Sequence, residues 1–146
     1  MKQEVMKKWV KALESGRYKK GKNRLCSISE NGTRSFCCLG VLCDLYDRDM
    51  KSKKKKVLNK EVIPGEIAET FINSNKVKVV VFENNEGTLP EKVIKWAGFE
   101  DGNSEGFIDD IPYPLIDLND GNKNKNLKAK SFKKIASIIK NNYKNI

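Results

Sequence analysis

The segment from Thr33 to Arg48 constrains this chain most, because it is the most apolar stretch of a very basic sequence. Its residues, TRSFCCLGVLCDLYDR, include three of the four cysteines, and the chain contains no histidine. A thiol nucleophile usually passes its proton to a histidine, and mixed zinc sites use imidazole ligands. The cysteines are therefore expected either to form an all-thiolate site or to pack inside a helix.

The spacing of the cysteines favours packing. Structural zinc sites usually combine two C-x2–4-C pairs, and the positions Cys26, Cys37, Cys38 and Cys43 do not supply two of them. Cys43 falls on an apolar helical face, where a free thiol behaves as a small hydrophobic group. We predict core cysteines and no metal site. A reactive thiol would need a lowered pKa, and Cys37 or Cys38 is then the best candidate.

The charge balance predicts an anionic partner. The 146 residues contain 29 Lys and Arg against 19 Asp and Glu, which gives a net charge of +10. Such an excess attracts nucleotides, nucleic acids and acidic protein surfaces. Lysines crowd the run from Lys51 to Lys56, whereas residues 96–122 contain seven acids and no Lys or Arg. We expect a dipolar molecule unless the acidic segment docks on a basic one.

The lengths of the apolar runs bear on membrane association and on the cellular compartment. No run approaches the roughly 20 residues that a membrane-spanning helix needs. The first residues, MKQEVMKKWVKALESG, lack the apolar stretch and cleavage site of a signal peptide. We expect a cytoplasmic protein with reduced thiols and no membrane association.

Hydrophobic periodicity and turn residues predict an α+β fold, helix-rich, with a β-hairpin and one or more further short strands. A single domain over 1–146 is expected, with basic or polar loops at 50–60 and 121–130. Asn31-Gly32 is a strong hairpin signal between strands at 24–28 and 33–37. A further strand is predicted at 76–82. Helices are predicted over 3–15, 38–49, 64–72, 90–97, 115–118 and 131–139.

The segment GRYKKGKNRL, residues 16–25, is the best candidate for ligand binding. Arginine can hold a phosphate with two donors, tyrosine can stack on a base, and glycine lets backbone amides approach an anion. The G-x4-G-K-[ST] pattern of nucleotide hydrolases is missing. An alternative is that the segment is a solvated loop. The candidate binding residues here are Arg17, Tyr18, Lys19, Lys20, Lys22 and Arg24.

Residues 101–109, DGNSEGFID, begin like a calcium-binding loop. Asp101, Asn103 and Glu105 fall at the first three ligand positions of an EF-hand. The twelfth position, which should be a bidentate glutamate, is Pro112. We therefore expect an acidic surface loop. No motif of a hydrolase, metalloprotease or deaminase is present, so no catalytic residue and no cofactor are predicted.

Several separated motifs resemble a family of small uncharacterised phage and prophage proteins. The pattern is W-x2-A-L-x-S-G-x-Y from Trp9, then F-C-C-L-G-V-L-C-D-L from Phe36, and L-P-x2-V-x2-W-x-G from Leu89. It ends with L-x2-L-N-D from Leu115 and F-x2-I-A-x-I-I from Phe132. Residues 50–87 do not align to the pattern, and 122–130 resembles an insertion. The resemblance implies an accessory protein acting in the cytoplasm of a bacterial host.

Most residues of the matching motifs are apolar or turn-forming, so the polar ones are the candidates for a site. Tyr18, Asp44, Asn119 and Asp120 are the positions where a site would lie, although Asp44 could bond locally and Asn119-Asp120 could close a turn. We add Asn119 and Asp120 to the candidate binding residues.

Three hypotheses of function remain open. The first is a non-catalytic binding module that sequesters an anionic nucleotide, such as a cyclic or ADP-ribose-type defence signal. The second is a basic protein that binds nucleic acid or inhibits a host nucleic-acid enzyme, in the manner of anti-restriction or anti-CRISPR proteins. The third is a Cys-dependent enzyme. A homo-oligomer is compatible with all three, and the first is preferred.

Overall fold

The fold is known from a computed structural model, which describes residues 1–62 and 78–146. Helices and strands pack as one α+β unit, which confirms the predicted fold class. Five α-helices lie in the described ranges: α1 Gln3–Glu14, α2 Cys38–Ser52, α3 Glu91–Ala97, α4 Leu115–Asp120 and α5 Phe132–Asn142, followed by a 3-10 turn at Tyr143–Asn145. The strands are β1 Lys19–Lys20, β2 Cys26–Ile28, β3 Arg34–Phe36, β4 Asn59–Val62 and β5 Lys78–Phe82.

The five strands form one sheet in the order β1-β3-β2-β5-β4. The predicted hairpin is β2–β3, and its turn contains Gly32 at a φ of 79°. Asn31 supports that turn, because its Oδ1 accepts from the backbone N–H of Thr33 at 3.1 Å. All neighbouring strands are antiparallel except β1 and β3, which are parallel. The segment containing β1 is thereby attached to the edge of the sheet.

Helix α2 lies at the centre of the core. Its first two turns have apolar residues on every side, so it needs neighbours all around. Val41, Leu42 and Cys43 have no exposed surface, and α1, α3 and α4 each contact the helix. Trp9 of α1 is also fully buried and donates from Nε1 to the carbonyl of Cys38 at 2.9 Å. No helix in the described ranges is long and apolar enough to cross a membrane.

The ends of several predicted helices and loops differ from those in the structure. Helix α2 continues to Ser52 and β4 begins at Asn59, so regular structure enters both ends of the loop expected at 50–60. Pro90 is the N-cap of α3 rather than its first residue. Ser131 caps α5 as expected, with its Oγ accepting from the N–H of Lys134 at 3.3 Å. The helix predicted at 64–72 and the start of the strand predicted at 76–82 lie outside the described residues.

Candidate functional site

The basic segment Arg17–Arg24 follows a sharp change of direction at the end of α1. Ser15 accepts a hydrogen bond at Oγ from the N–H of Arg17 at 3.1 Å, and Gly16 has a φ of 71°. Glycine adopts a positive φ without strain, so Gly16 is well suited to this turn. The chain then enters β1 beside β3. Side chains of the segment consequently point to three different parts of the molecule.

Arg17 and Tyr18 face a groove between the end of α1 and the outer side of α2. This groove has a volume of about 380 Å³ and is called the basic groove below. Four cationic side chains line it, two from α1, one from the basic segment and one from α2. Its lining residues are Lys8, Lys11, Ala12, Ser15, Arg17, Tyr18, Leu45 and Arg48.

Tyr18 is fixed at the floor of the basic groove. Its hydroxyl donates to Oδ2 of Asp44 at 2.5 Å, and its ring packs in a T-shaped geometry against Phe36 with centroids 5.2 Å apart. Burial, followed by the hydrogen bond to Asp44, raises the pKa of Tyr18 well above its ordinary value. The hydroxyl therefore stays protonated and keeps donating at physiological pH.

Arg48 extends over Tyr18 and shares the same carboxylate. The Nε of Arg48 lies 2.7 Å from Oδ2 of Asp44, one helical turn earlier, and its Cζ lies 5.7 Å from the centre of the Tyr18 ring. The Arg48 side chain is 65% exposed, against 20% for Asp44. One carboxylate oxygen thus holds two groove residues in place.

A second group of predicted site residues forms a junction between the basic segment and α4. Lys20 donates from Nζ to the carbonyl of Asn119 at 2.5 Å, and the N–H of Asn23 donates to Oδ2 of Asp120 at 2.9 Å. Burial lowers the pKa of Lys20. Asp120 belongs to the acidic stretch 96–122, so that stretch meets the basic segment at this point.

Asn119 is a structural residue at this junction. It is fully buried, its Oδ1 accepts from the N–H of Cys38 at 3.1 Å, and its Nδ2 donates to the carbonyl of Gly21 at 3.0 Å and to Oδ1 of Asp120 at 2.6 Å. Both amide protons and the carbonyl are engaged inside the protein. The ligand contact expected of Asn119 is incompatible with this burial.

The remaining residues of the basic segment lie away from the groove. Arg24 pairs with Glu86, with 3.5 Å between Nε and Oε2, and its Nη1 donates to the carbonyl of Asn23 at 3.0 Å. Lys19 and Lys22 are exposed. The structure therefore does not bring the eight predicted binding residues into one site. Arg17 and Tyr18 are the two that share the basic groove.

Lys8, Lys11 and Arg48 are groove residues that the sequence reasoning missed. Lys8 and Lys11 are three residues apart on α1, and with Ala12 and Ser15 they form one helical face. Arg48 follows Asp44 at the i+4 spacing of a helical ion pair. Both spacings are readable from the sequence, but they resemble those of ordinary solvated faces.

All four cysteines are buried. Cys37 is the N-cap of α2, with its Sγ accepting from the N–H of Gly40 at 3.3 Å, and burial raises its pKa to about 12. Burial also raises the pKa values of Cys38 and Cys43 well above the ordinary range. A thiol nucleophile requires the opposite shift. The packing predicted for Cys43 is confirmed by its lack of exposed surface.

In the acidic loop, the side chain of Asn103 is bonded to the loop's own backbone. Asn103 accepts at Oδ1 from the N–H of Phe107 at 2.6 Å and donates from Nδ2 to the carbonyl of Phe107 at 2.8 Å. This pairing uses the oxygen that the calcium-loop pattern would place on a metal. In the ranges 1–62 and 78–146, no group of three or more Cys, Asp or Glu side chains is arranged to hold a metal ion.

Larger concavities are also found among the described residues. One, of about 620 Å³, runs along α1 towards Lys140, includes Lys7 and Glu14, and shares Lys11 and Ser15 with the basic groove. The other, of about 610 Å³, lies beside Tyr46 and includes Lys92, which is paired with Glu83. Neither is lined by an arginine among the described residues. The basic groove is therefore the stronger candidate for binding an anion.

The comparisons with known proteins place the chain in a family. It belongs to the family Domain of unknown function (DUF8296), whose model matches residues 1–143. No curated protein and no solved structure matches it. The family match thus covers nearly the whole chain, including every residue of the basic groove.

Proposed function

We propose that this protein is a non-catalytic, phage-type accessory protein that binds an anionic ligand in the basic groove. The ligand class we favour is a nucleotide-type defence signal of the bacterial host, which the protein sequesters in the host cytoplasm. The motif resemblance to phage and prophage proteins supports the biological setting. The groove supports the chemistry, and the chemistry is the part that binding measurements can test directly.

The observation that carries this proposal is the concentration of positive charge around one concavity. Lys8, Lys11, Arg17 and Arg48 come from three different elements and converge on the groove. Among the described residues, the carboxylates that pair with them are Asp44, on Arg48, and Asp49, 4.0 Å from Lys8. Positive charge therefore exceeds negative charge at the groove, which favours an anion.

The test is binding of ATP to the purified protein, measured by isothermal titration calorimetry, with a matched pair of arginine variants. Arg17→Ala removes a charge from the groove, whereas Arg24→Ala removes the same charge at the Glu86 pair. We expect Arg17→Ala to weaken binding by about tenfold, the scale of one charged hydrogen bond. Arg24→Ala should bind as the wild type does. If Arg17→Ala and Arg24→Ala lose ATP affinity equally, or if neither loses any, the placement of the site in the basic groove is refuted.

The alternative function is binding to nucleic acid or to a host nucleic-acid enzyme. The observation that favours it is the exposed run Lys51–Lys56, which begins three residues after Arg48 and extends the positive charge beyond the groove lining. Binding driven by phosphate backbone contacts weakens steeply with salt, in proportion to the phosphates neutralised. Binding of a duplex oligonucleotide and of ATP should be compared at about 50 and about 200 mM salt. A single bound nucleotide makes fewer phosphate contacts than a duplex, so its affinity should fall less over this range.

A Cys-dependent enzyme is the second alternative. It would require Cys37 or Cys38 to act as a thiolate at neutral pH. Burial of both side chains and the raised pKa of each thiol give this alternative less support than the binding functions.

A further inference from the structure

We propose that the basic groove recognises its ligand through phosphate groups and leaves the base unread. In this arrangement Arg48 is the phosphate-binding residue, while Asp44 and Tyr18 are positioning residues that hold it. This inference rests on the proposed function and specifies the chemical class of the ligand. Three structural features lead to it.

The first feature is that Tyr18 is not free to stack on a base. Its half-buried ring already carries the guanidinium of Arg48 over one face, 5.7 Å from the ring centre. Phe36 packs against the same ring at an interplanar angle of 86°. A base stacking on that face would have to displace the arginine. The stacking role expected of Tyr18 from the sequence is therefore replaced by support of Arg48.

The second feature is the way in which Asp44 holds Arg48. The carboxylate contacts Nε of the guanidinium, at 2.7 Å, and the same oxygen accepts from the Tyr18 hydroxyl at 2.5 Å. A guanidinium presents five donors in a rigid fork, and only one of them is at Nε. The two terminal nitrogens therefore remain for an anion, at the end of a side chain whose orientation is already fixed. Arginine binds phosphate with two parallel hydrogen bonds in this way.

The third feature is the scarcity of groups that could read a base edge. Among the described lining residues, the uncharged side chains with polar groups are Ser15 and Tyr18. Ser15 donates from Oγ to the carbonyl of Ala12 at 2.7 Å and accepts from the N–H of Arg17. Tyr18 donates to Asp44. The other polar side chains of the lining are cations, which carry donors and no acceptors. They match phosphate oxygens and cannot accept a hydrogen bond from the amino group of adenine or cytosine.

The experiment compares ligands that separate phosphate from base, by calorimetry in low salt with EDTA. The probes are inorganic tripolyphosphate, ATP, CTP, AMP and adenosine. We expect tripolyphosphate, ATP and CTP to bind within about threefold of one another, AMP to bind at least about tenfold more weakly, and adenosine not to bind. If ATP binds at least about tenfold more tightly than both CTP and tripolyphosphate, the base is read, so the inference is overturned while the proposed function stands. If none of the probes binds, both are overturned.

Variants of Asp44 and Arg48 test the positioning. Asp44→Asn removes a negative charge beside an anion site, so simple electrostatics predicts tighter tripolyphosphate binding. Loss of positioning predicts weaker binding, and we expect a loss of about fivefold to tenfold. Arg48→Lys keeps the charge without the fork, and we expect it to lose about tenfold as well. Unchanged or tighter binding in Asp44→Asn, with a wild-type melting temperature, would overturn the assigned roles.

Discussion

The side-chain oxygen Oδ1 of Asn119 accepts a hydrogen bond from the backbone N–H of Cys38, 3.1 Å away and 81 residues earlier in the chain. The first N–H groups of a helix have no partner within that helix. Asn119 satisfies one of them at the start of α2 while its amide protons hold the basic segment and Asp120. A single buried side chain therefore joins three parts of the molecule.

Replacing this asparagine should destabilise the fold. Asn119→Ala removes the partner of the buried N–H of Cys38 and of the half-buried carbonyl of Gly21, and we expect a loss of about 2–4 kcal/mol in the free energy of unfolding. Urea denaturation followed by circular dichroism measures the loss. Asn124→Ala, at an exposed position, serves as the control and should change the free energy by less than about 0.5 kcal/mol. Equal stability of the two variants would contradict the structural role of Asn119.

A side chain at position 40 should be poorly tolerated. A Cβ added to Gly40 would lie 1.7 Å from the carbonyl oxygen of Leu25 and 2.5 Å from its carbon, so the first turn of α2 would have to move. We expect Gly40→Ala to cost about 3 kcal/mol or more, beyond the usual range for overpacking.

Gly87→Ala is the matched control for Gly40→Ala. A Cβ at Gly87 meets nothing within 4 Å, so the change in stability should stay below about 1 kcal/mol. Thermal denaturation of both variants gives the comparison. If Gly40→Ala melted at the wild-type temperature, the close approach of α2 to Leu25 would be wrong.

The two best-defined thiols should respond differently to serine. Cys37 already accepts a hydrogen bond at the N-cap, a position that serine favours, so Cys37→Ser should change stability by only about 0–1 kcal/mol. Cys43 is fully buried on an apolar face, and Cys43→Ser should cost about 1–3 kcal/mol. Urea denaturation of the two variants measures both values. A larger loss of stability for Cys37→Ser than for Cys43→Ser would contradict the N-cap role of Cys37.

The thiols should also be slow to react in the folded protein. A pKa of about 12 for Cys37 leaves only about one thiolate in ten thousand at pH 8. We expect Ellman's reagent to modify the native protein slowly at pH 8. In about 6 M guanidinium chloride, which unfolds even very stable domains, it should modify all four cysteines rapidly. Rapid labelling of one thiol in the native state would show a reactive cysteine.

Asp49 should make stability depend on pH in the acidic range. The hydrogen bond from Lys53, aided by the one from Trp96, lowers the pKa of Asp49 below its ordinary value of 3.8. A carboxylate with a lowered folded pKa stabilises the fold above about pH 4, and this contribution is lost as the pH falls through the folded value. Asp49→Asn should therefore be less stable than the wild type at pH 6.

The difference between Asp49→Asn and the wild type should shrink at low pH. Urea denaturation of both proteins from pH 6 downwards, through 3.8, measures this difference at each step. Glu30→Gln, an exposed acid on the hairpin turn, is the control and should follow the wild type across the series. A difference that stayed constant with pH would mean that the ion pair of Asp49 does not form.

Much of the fold was predictable because its signals are local. Asn31-Gly32 predicted the hairpin, and apolar residues at helical spacing predicted α1, α2 and α5 with the inward faces that the structure buries. Boundaries were less accurate, as for α2, because its last turn is polar and exposed. The parallel pairing of β1 with β3 had no local signal, since Lys19-Lys20 is too short to show a strand pattern.

The candidate site was predicted only in part, because charge pairing joins residues that are distant in sequence. The sequence does not distinguish Arg17 from Arg24, because both are cations of the same basic segment. The fold brings Glu86 to Arg24 and leaves Arg17 at the groove. Likewise, Asn119 looked like a polar site residue until packing against the start of α2 buried it.

The sequence by itself determined the α+β class, the helical faces and the burial of Cys43, because apolar periodicity and turn residues act within a few positions. The tertiary structure decided which charges remain available to a ligand. Lys8, Lys11, Arg17 and Arg48 become neighbours only when α1, the basic segment and α2 pack together. Electrostatic interactions depend on distances in space, and these distances are fixed by packing of the whole core.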